Sequence, residues 1–396
     1  MIRSRPSAGV EQCPRTRSTE AFRSPDAANF APRISRRTLL GTLLATSALG
    51  VRSGNLIGQE PLSVENLYVD DNLDRACQRA IDFLMAQQRT NGSITDRGHE
   101  LALTALAIMA FASIGIEPSE STPQGQTLQT ALDFVLDPKH QNEFGYFGSH
   151  DGSRMYGHGI VTLMLTEMLG MGASVQQNRI THERLDKAIA LILSSQAIRK
   201  EPKLNGGWRY SPGARDSDLS VTIWQLMALR SAKNDGMEVP AEAIEEALGY
   251  LRNSFTGRRS GDEVTGEGGF SYTPGQSRPS FTMTAAGLLA MQVCGQYDAP
   301  EVAAAADWLL GHKPTPTERY LFYGLYYYAQ GMHQMGGTYA DQSQQIVSDL
   351  LLSRQRSDGS WMAPGGEERN VGLVYSTSLA VLSLSVRYHY LPIYQR

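Results

Sequence analysis

Asp216 and Asp218 stand two residues apart, between a Gly-Gly-Trp turn (Gly206 to Trp208) and an apolar stretch beginning at Leu219. Neighbouring carboxylates can hold and deliver a proton when one of them is desolvated. At helical spacing Asp218 shares a face with Thr222 and Gln225, opposite an apolar stripe of Leu219, Ile223 and Leu226. On a helix that lines a cavity, the polar face would meet a ligand. Asp is equally one of the best N-cap residues, and acids in a first turn complement the helix dipole. Proton donor and helix cap both fit these residues.

Other candidates fall in loops ahead of helices or in their first turns. The stretch "RMYGHG" carries Arg154, Tyr156 and His158, and Tyr210, Tyr272 and Arg278 hold comparable places further along. Together they could line one mouth of a helical ring, although a His beside glycines also serves as a surface or capping group. "TERYLFYGLYYYAQGM" sets Tyr320, Tyr323 and Tyr327 on one face, suited to an apolar ligand, a cation or a core. "DDNLD", from Asp70 to Asp74, reads as an acidic helix cap. Cys77 and Cys294 are isolated from each other, with no C-x-x-C and no Cys/His cluster, so no metal and no cofactor is implied. Their pairing stays open.

These residues need elements to position them. From about residue 70 the apolar spacing is helical almost throughout, with little alternation of the strand type. Twelve helices form six pairs, whose first members begin near residues 74, 126, 183, 241, 299 and 342. A pair repeated at this period cannot bury its apolar face alone and must stack on its neighbours. The second helices ("LALTALAIMAFA", "TMTAAGLLAM", "STSLAVLSLSV") are apolar all round, as buried helices are. The first helices carry more charge. The spacing therefore predicts an all-α (α/α)6 toroid of six helical hairpins, with an inner ring inside an outer one. A glycine-aromatic loop precedes most inner helices: "GGWRYSPG" (206–213), "GGFSYTPG" (268–275), "GSWMAPGG" (359–366) and, more loosely, "FGYFGSHDG" (144–152). Its aromatics are expected to fill wedges between helices.

The first fifty residues differ in kind. Arg36-Arg37 precede the apolar "TLLGTLLATSALG", the pattern of a twin-arginine export signal. The stretch before it is long for such a signal, which leaves a later start codon open. The expected division is a signal over 1–50, a linker over 51–69 and the toroid over 70–396. Without residues 1–50 the chain holds 28 basic and 37 acidic residues, net −9. That balance argues against nucleic acid or anionic membrane surfaces as partners. No apolar run reaches the roughly 18–20 residues of a membrane span.

"LLLSRQRSDGSW" (350–361) and "FLMAQQRTNGSI" (83–94) resemble the glutamine-tryptophan repeat of squalene cyclases. Gln355, Gly359 and Trp361 fit it fully; Gln88 and Gly92 fit, with Ile94 in place of the Trp; "ILSSQ…GGW", ending at Trp208, looks like a third copy. The resemblance is to the squalene cyclase and protein prenyltransferase superfamily, and it implies the α/α toroid. Asp216 and Asp218 then match the first and the proton-donating Asp of the cyclase Asp-x-Asp-Asp motif, while Leu219 departs from its third acid. The zinc ligands of prenyltransferases are missing, with Ser376 where the His would stand, and no Gly-Cys-Gly-Glu-Gln thioester stretch occurs. These residues lead to an exported ligand-binding or scaffold module with a degenerate cyclase motif, its central cavity taking a small apolar or polar ligand. One alternative is a terpene-cyclase-like enzyme that protonates a polyprene alkene through Asp218 with Asp216 as partner. Another is a carbohydrate-active α/α barrel using Asp218 and Glu267.

Overall fold

The computed structural model describes residues 71–394 apart from 261, 262 and 277; the expected export signal (1–50), the expected linker (51–69) and Asp70 lie outside the described residues. Six outer helices carry one buried stripe each: α1 (Asn72–Ala86), α3 (Pro123–Leu136), α5 (Val175–Gln196), α7 (Ala241–Ser254), α9 (Pro300–Gly311) and α11 (Gly337–Leu352). Six inner helices alternate with them: α2 (Glu100–Ser113), α4 (Arg154–Glu167), α6 (Leu219–Asn234), α8 (Phe281–Val293), α10 (Leu321–Met335) and α13 (Leu373–Leu384). A one-turn helix α12 (Gly366–Val371) lies in the last loop. Each inner helix packs on the next, and α13 packs back on α2, so the inner ring closes. Every residue of α2 from Leu101 to Ser113 and all of α8 are buried. Small residues permit the close approach: a Cβ on Gly287 of α8 would stand 2.4 Å from the Phe270 ring.

One device ties the outer ring together. The Nε2 of Gln88 donates to Gly92 O (3.3 Å) in its own loop and to Thr127 O (2.9 Å) in the next outer helix. Gln141 does the same to Gly145 O (3.0 Å) and Arg184 O (2.9 Å), and Gln196 to Gly206 O (3.1 Å) and Ala243 O (2.8 Å). Gln355 donates to Gly359 O (2.9 Å) and Ala76 O (2.8 Å), clamping the last outer helix to the first. The loop glycine must be a glycine. Gly206 has φ +82, and a Cβ there would lie 2.0 Å from Glu246 O. Gln141 belongs to a copy of the repeat that the sequence pattern alone did not single out.

The interface between α7 and α9 lacks this clamp and carries instead an antiparallel hairpin, β1 (Phe255–Ser260) and β2 (Glu263–Phe270), that was not expected. Phe255 pairs with Phe270 and Gly257 with Gly268, and β2 packs on α9. The two Phe rings meet edge to face at 5.3 Å, and the Phe255 ring occupies the space a Cβ on Gly268 would need. Glycine-rich sequence reads as turn, yet here the missing side chains make room for an aromatic. Between α9 and α11, Tyr339 Oη donates to Asp307 Oδ1 (2.6 Å).

At the C-terminal ends of the inner helices, the segment Pro392–Tyr394 inserts against α6. Glu167 accepts from Ser231 Oγ (2.6 Å) and from the Ile393 amide (3.2 Å), and Tyr326 and Tyr394 share a hydroxyl contact. Trp224 stacks on Tyr326 (5.8 Å, 9°), so indole and phenol rings fill this end of the ring. Cys77 and Cys294 are both free thiols.

Replacing Gln355 by Leu removes both donors of the closing clamp and leaves two carbonyls short of a partner. The variant is expected to lose about 1–3 kcal/mol in urea unfolding, and Gln355→Glu, which has the shape but no donor, at least as much. Stability within about 0.5 kcal/mol of the parent for both would show that the clamp does not hold the ring.

Candidate functional site

The inner helices all begin at one mouth of the ring, and each first turn is bonded to the loop of the following repeat. Asp151 Oδ2 accepts from the Leu101 and Ala102 amides of α2 (3.0 and 3.1 Å). Tyr210 O accepts from Met155 N of α4 (3.2 Å), and Tyr272 O from Leu219 N of α6 (2.9 Å). Thr282 of α8 donates to Arg319 O (3.4 Å). Glu368 Oε1 takes Tyr323 N of α10 (3.0 Å), and Asp96 takes Leu373 N and Val374 N of α13 (2.7 and 3.2 Å). The cycle is complete around the ring. At five of the six helices it takes up first-turn amides that a helix start leaves open; at α8 the donor is the Thr282 hydroxyl, and the Met283 amide bonds to Ser280 Oγ (3.3 Å).

Inside this mouth lies a cavity of about 820 Å³, lined from all six inner helices and their loops. Its wall combines apolar side chains such as Leu103, Leu106, Ile160 and Met283 with the tyrosines 156, 210, 272, 320, 323 and 375. The filled end beneath, at Trp224, Tyr326 and Tyr327, touches Tyr323. His99, Arg154, Arg319 and Glu367 stand exposed at the rim. His99, Arg154 and Tyr320 each hold a positive φ of 57–58° just as an inner helix begins. Non-glycine residues hold that conformation at a cost of roughly 1 kcal/mol or more, and only where surrounding structure enforces it.

Asp218 is fully buried and is the N-cap of α6. Its Oδ1 accepts from the Val221 amide (2.9 Å) and the Ser220 hydroxyl (2.6 Å), and Oδ2 pairs with Arg209 (3.1 Å). Burial pushes this carboxyl up, while Ser220, the Val221 amide and Arg209 pull it back. It does not itself line the cavity. Ser220 does, and Ser220 Oγ contacts Tyr156 Oη, so a run of hydroxyls leads from Asp218 to the cavity wall. Asp216 is more than half exposed and meets Arg209 at 3.3 Å. Arg209 therefore stands between the two acids, itself seated against the rings of Tyr210 and Tyr272 (4.7 and 5.6 Å).

Four of the expected lining residues, Tyr156, Tyr210, Tyr272 and Tyr320, line the cavity, and so does Tyr323, whose Oη donates to Ser220 O (3.1 Å). The other expected residues are placed elsewhere. Thr222 accepts from the Trp208 amide (2.9 Å) and donates to Asp218 O (2.6 Å), and Gln225 donates to Met155 O (2.7 Å). His158 accepts from the Phe147 amide at Nδ1 (3.3 Å) and faces Ala188 O at Nε2 (3.2 Å); burial lowers it to about 4, so it stays neutral. Arg278 is exposed outside the lining. Glu267 lies exposed on β2, so Asp218 and Glu267 do not share one groove. Asp71 and Asp74 form a capping box at α1 and pair with Arg387.

Three cavity carboxyls escaped the sequence reading, Glu318, Glu367 and Glu368. Glu368 is 2% exposed, and burial raises it to about 7 against three backbone amides of α10. A spacing signal for it exists: Asp96, Asp151 and Glu368 each precede an inner helix by three to five residues.

No family model and no curated protein matches the chain. Among solved structures, the GH76A α-1,6-mannanase from Salegentibacter sp. HEL1_6 aligns with a TM-score of 0.57 at 11% identity, over 81% of this chain and 100% of that one. The apo type II terpene cyclase MstE from Scytonema aligns with a TM-score of 0.50 at 16% identity, over 81% of this chain and 99% of that one. A variant of that cyclase in complex with geranylgeranyl dihydroxybenzoate, its substrate, gives 0.51 at 15% identity, over 81% and 98%. At these identities the likeness is one of fold, the α/α toroid.

Asp218→Ala removes the cap of α6 and leaves Arg209 only the exposed Asp216 as an acid partner, with an expected loss of about 2–4 kcal/mol in urea unfolding. Asp218→Asn keeps an oxygen acceptor and is expected to lose about half as much. An Ala variant as stable as the parent would remove the capping role.

Proposed function

We propose that the protein is an exported binding module that holds one largely apolar ligand within its ring. The carrying observation is the open cavity of about 820 Å³, walled by aliphatic side chains and tyrosine rings and entered from one mouth. Its size falls in the range of roughly 300–1,000 Å³ that small-molecule sites occupy. Burial holds Tyr156, Tyr272, Tyr323 and Tyr375 above the ordinary phenol value, so they present neutral rings and hydroxyls. A likeness in fold to a terpene cyclase whose complex contains a geranylgeranyl group supports a polyprene-like occupant. The position of Asp218, capping α6 and paired with Arg209, supports binding over alkene protonation, which demands a strong acid in direct reach of the alkene.

Cyclase chemistry remains the second reading because one observation favours it. The hydroxyls of Ser220 and Tyr156 connect Asp218 to the cavity, and the tyrosine faces could steady a cation.

Geranylgeraniol is expected to raise the melting temperature of the mature chain and to be recovered unchanged on extraction. At a hundredfold excess over its Kd the stabilisation would be about 2.7 kcal/mol. Met283→Trp, which fills the cavity from α8, should melt cooperatively yet show no such rise. A cyclic product from the parent but not from Asp218→Asn would establish the second reading, and no shift with polyprenes of any length would sink the first.

The export half of the proposal rests on Arg36-Arg37 ahead of the apolar run. With both arginines changed to lysine, the precursor is expected to stay uncleaved in the cytoplasm of the expressing bacterium. Fractionation that still finds processed protein outside the cytoplasm would overturn it.

A further inference from the structure

The three carboxylates that cap a neighbouring repeat's inner helix are not equivalent. Asp96 uses both oxygens, Oδ2 on Leu373 N and Oδ1 on Val374 N. Asp151 also uses both, Oδ2 on Leu101 N and Ala102 N, and Oδ1 on Ser153 N (3.0 Å). Glu368 engages Tyr323 N through Oε1, while its Oε2 is buried without a hydrogen-bond partner. A buried oxygen in that condition forfeits roughly 1–3 kcal/mol unless something else satisfies it. Of the three acids only Glu368 lines the cavity.

We propose that Glu368 is the polar anchor of the cavity and hydrogen-bonds through Oε2 to a neutral oxygen of the ligand. The ligand class is then an apolar molecule carrying one hydroxyl or carbonyl group, not a bare hydrocarbon and not an anion. This rests on the cavity reading above and narrows it. The Tyr323 amide of α10 occupies Oε1, so the proton of the acid form belongs on Oε2, where it can be donated. Burial favours that form, raising the carboxyl to about 7. Glu318 and Glu367 line the same mouth, which therefore already holds two other acids. Of the mouth's arginines, Arg319 lies over the Tyr320 ring (4.9 Å) and reaches Glu367 at 3.7 Å, while Arg154 stands exposed at the rim; burial and backbone amides alone set the Glu368 carboxyl.

The test uses farnesol and farnesene, one carbon skeleton with and without the hydroxyl, titrated against the full chain by dye displacement. The parent is expected to bind farnesol about tenfold more tightly than farnesene, the worth of one hydrogen bond in a dry site. Glu368→Leu should lose that preference while keeping farnesene affinity. Glu368→Gln offers an acceptor to α10 and a donor in place of Oε2, and should keep the preference. Thermal melts check the fold of each, and the Gln variant together with the parent's own discrimination decides the matter should Leu unfold. Equal affinities of the parent for the two probes overturn the anchor and leave the cavity reading standing. An undiminished preference in a folded Leu variant, or a lost one in a folded Gln variant, does the same. Binding of neither probe removes the cavity reading and the anchor with it.

Discussion

A side-chain amide that reaches from one repeat into the next is the interaction on which the rest of this molecule hangs. A helical hairpin with one apolar face cannot stand alone in water, and stacking only moves the problem to the two ends of the stack. Closure removes the ends. Gln355 bonded to Ala76 O performs for the sixth outer helix what Gln88, Gln141 and Gln196 perform for earlier ones. The acceptors are carbonyls within helices, each with a second lone pair to offer. The geometry demands that the loop pass against the neighbouring helix, hence the glycines pressed onto Thr130, Lys187, Glu246 and Arg79. A hollow centre follows from closure, because six inner helices packed on their two neighbours leave an axis that no helix occupies. One end of that axis is filled by Trp224, Tyr326, Tyr327 and Tyr394, and the other remains the cavity.

The mouth obeys the same economy. Five of the six inner helices have a first-turn amide held by the following repeat, through a carboxylate or a backbone carbonyl, and α8 is held there through the Thr282 hydroxyl while its own Ser280 caps it. The cavity is thus bordered by helix starts that are already satisfied, and its walls are set by the fold before any ligand arrives. Positive φ at His99, Arg154 and Tyr320 is part of that setting, since the chain must turn sharply from loop to helix. Such a site is preorganised at the backbone level.

The ring was legible in the sequence because its cause is periodic: helical spacing throughout, and a Gln-Gly-Trp repeat that is complete at Gln355, has Ile94 for its Trp at Gln88 and has a longer loop at Gln196. The hairpin was not, since glycines at 257, 268 and 269 erase the alternation that marks a strand. Thr222 looked like a cavity residue on a polar stripe, and the other repeats show why it is placed elsewhere. The amides of Ile94, Trp208, Phe270 and Trp361 bond to Thr104, Thr222, Thr284 and Thr377, and in the second repeat the Phe147 amide uses His158. Thr222 and His158 occupy one structural slot, which internal alignment of the repeats would have exposed. Glu368 shares with Asp96 and Asp151 only a loose place three to five residues ahead of an inner helix, and its burial depended on the ring being closed around it.

The two buried acids of the mouth show how environment divides like groups. Asp218 has a cation fixed beside it, because Arg209 is wedged against Tyr210 and Tyr272 and cannot leave without uncovering their rings. Burial still raises the Asp218 carboxyl, and Ser220, the first-turn amide of α6 and the ion pair offset only part of that rise. Glu368 has the Tyr323 amide on one oxygen and no paired cation, and burial raises it to about 7. An acid tied to a guanidinium is committed to holding a helix, whereas an acid that lines the cavity with one buried oxygen short of a partner gains from what enters. The residue that resembles a catalytic acid is therefore the structural one, and the residue without a motif is the one placed for recognition.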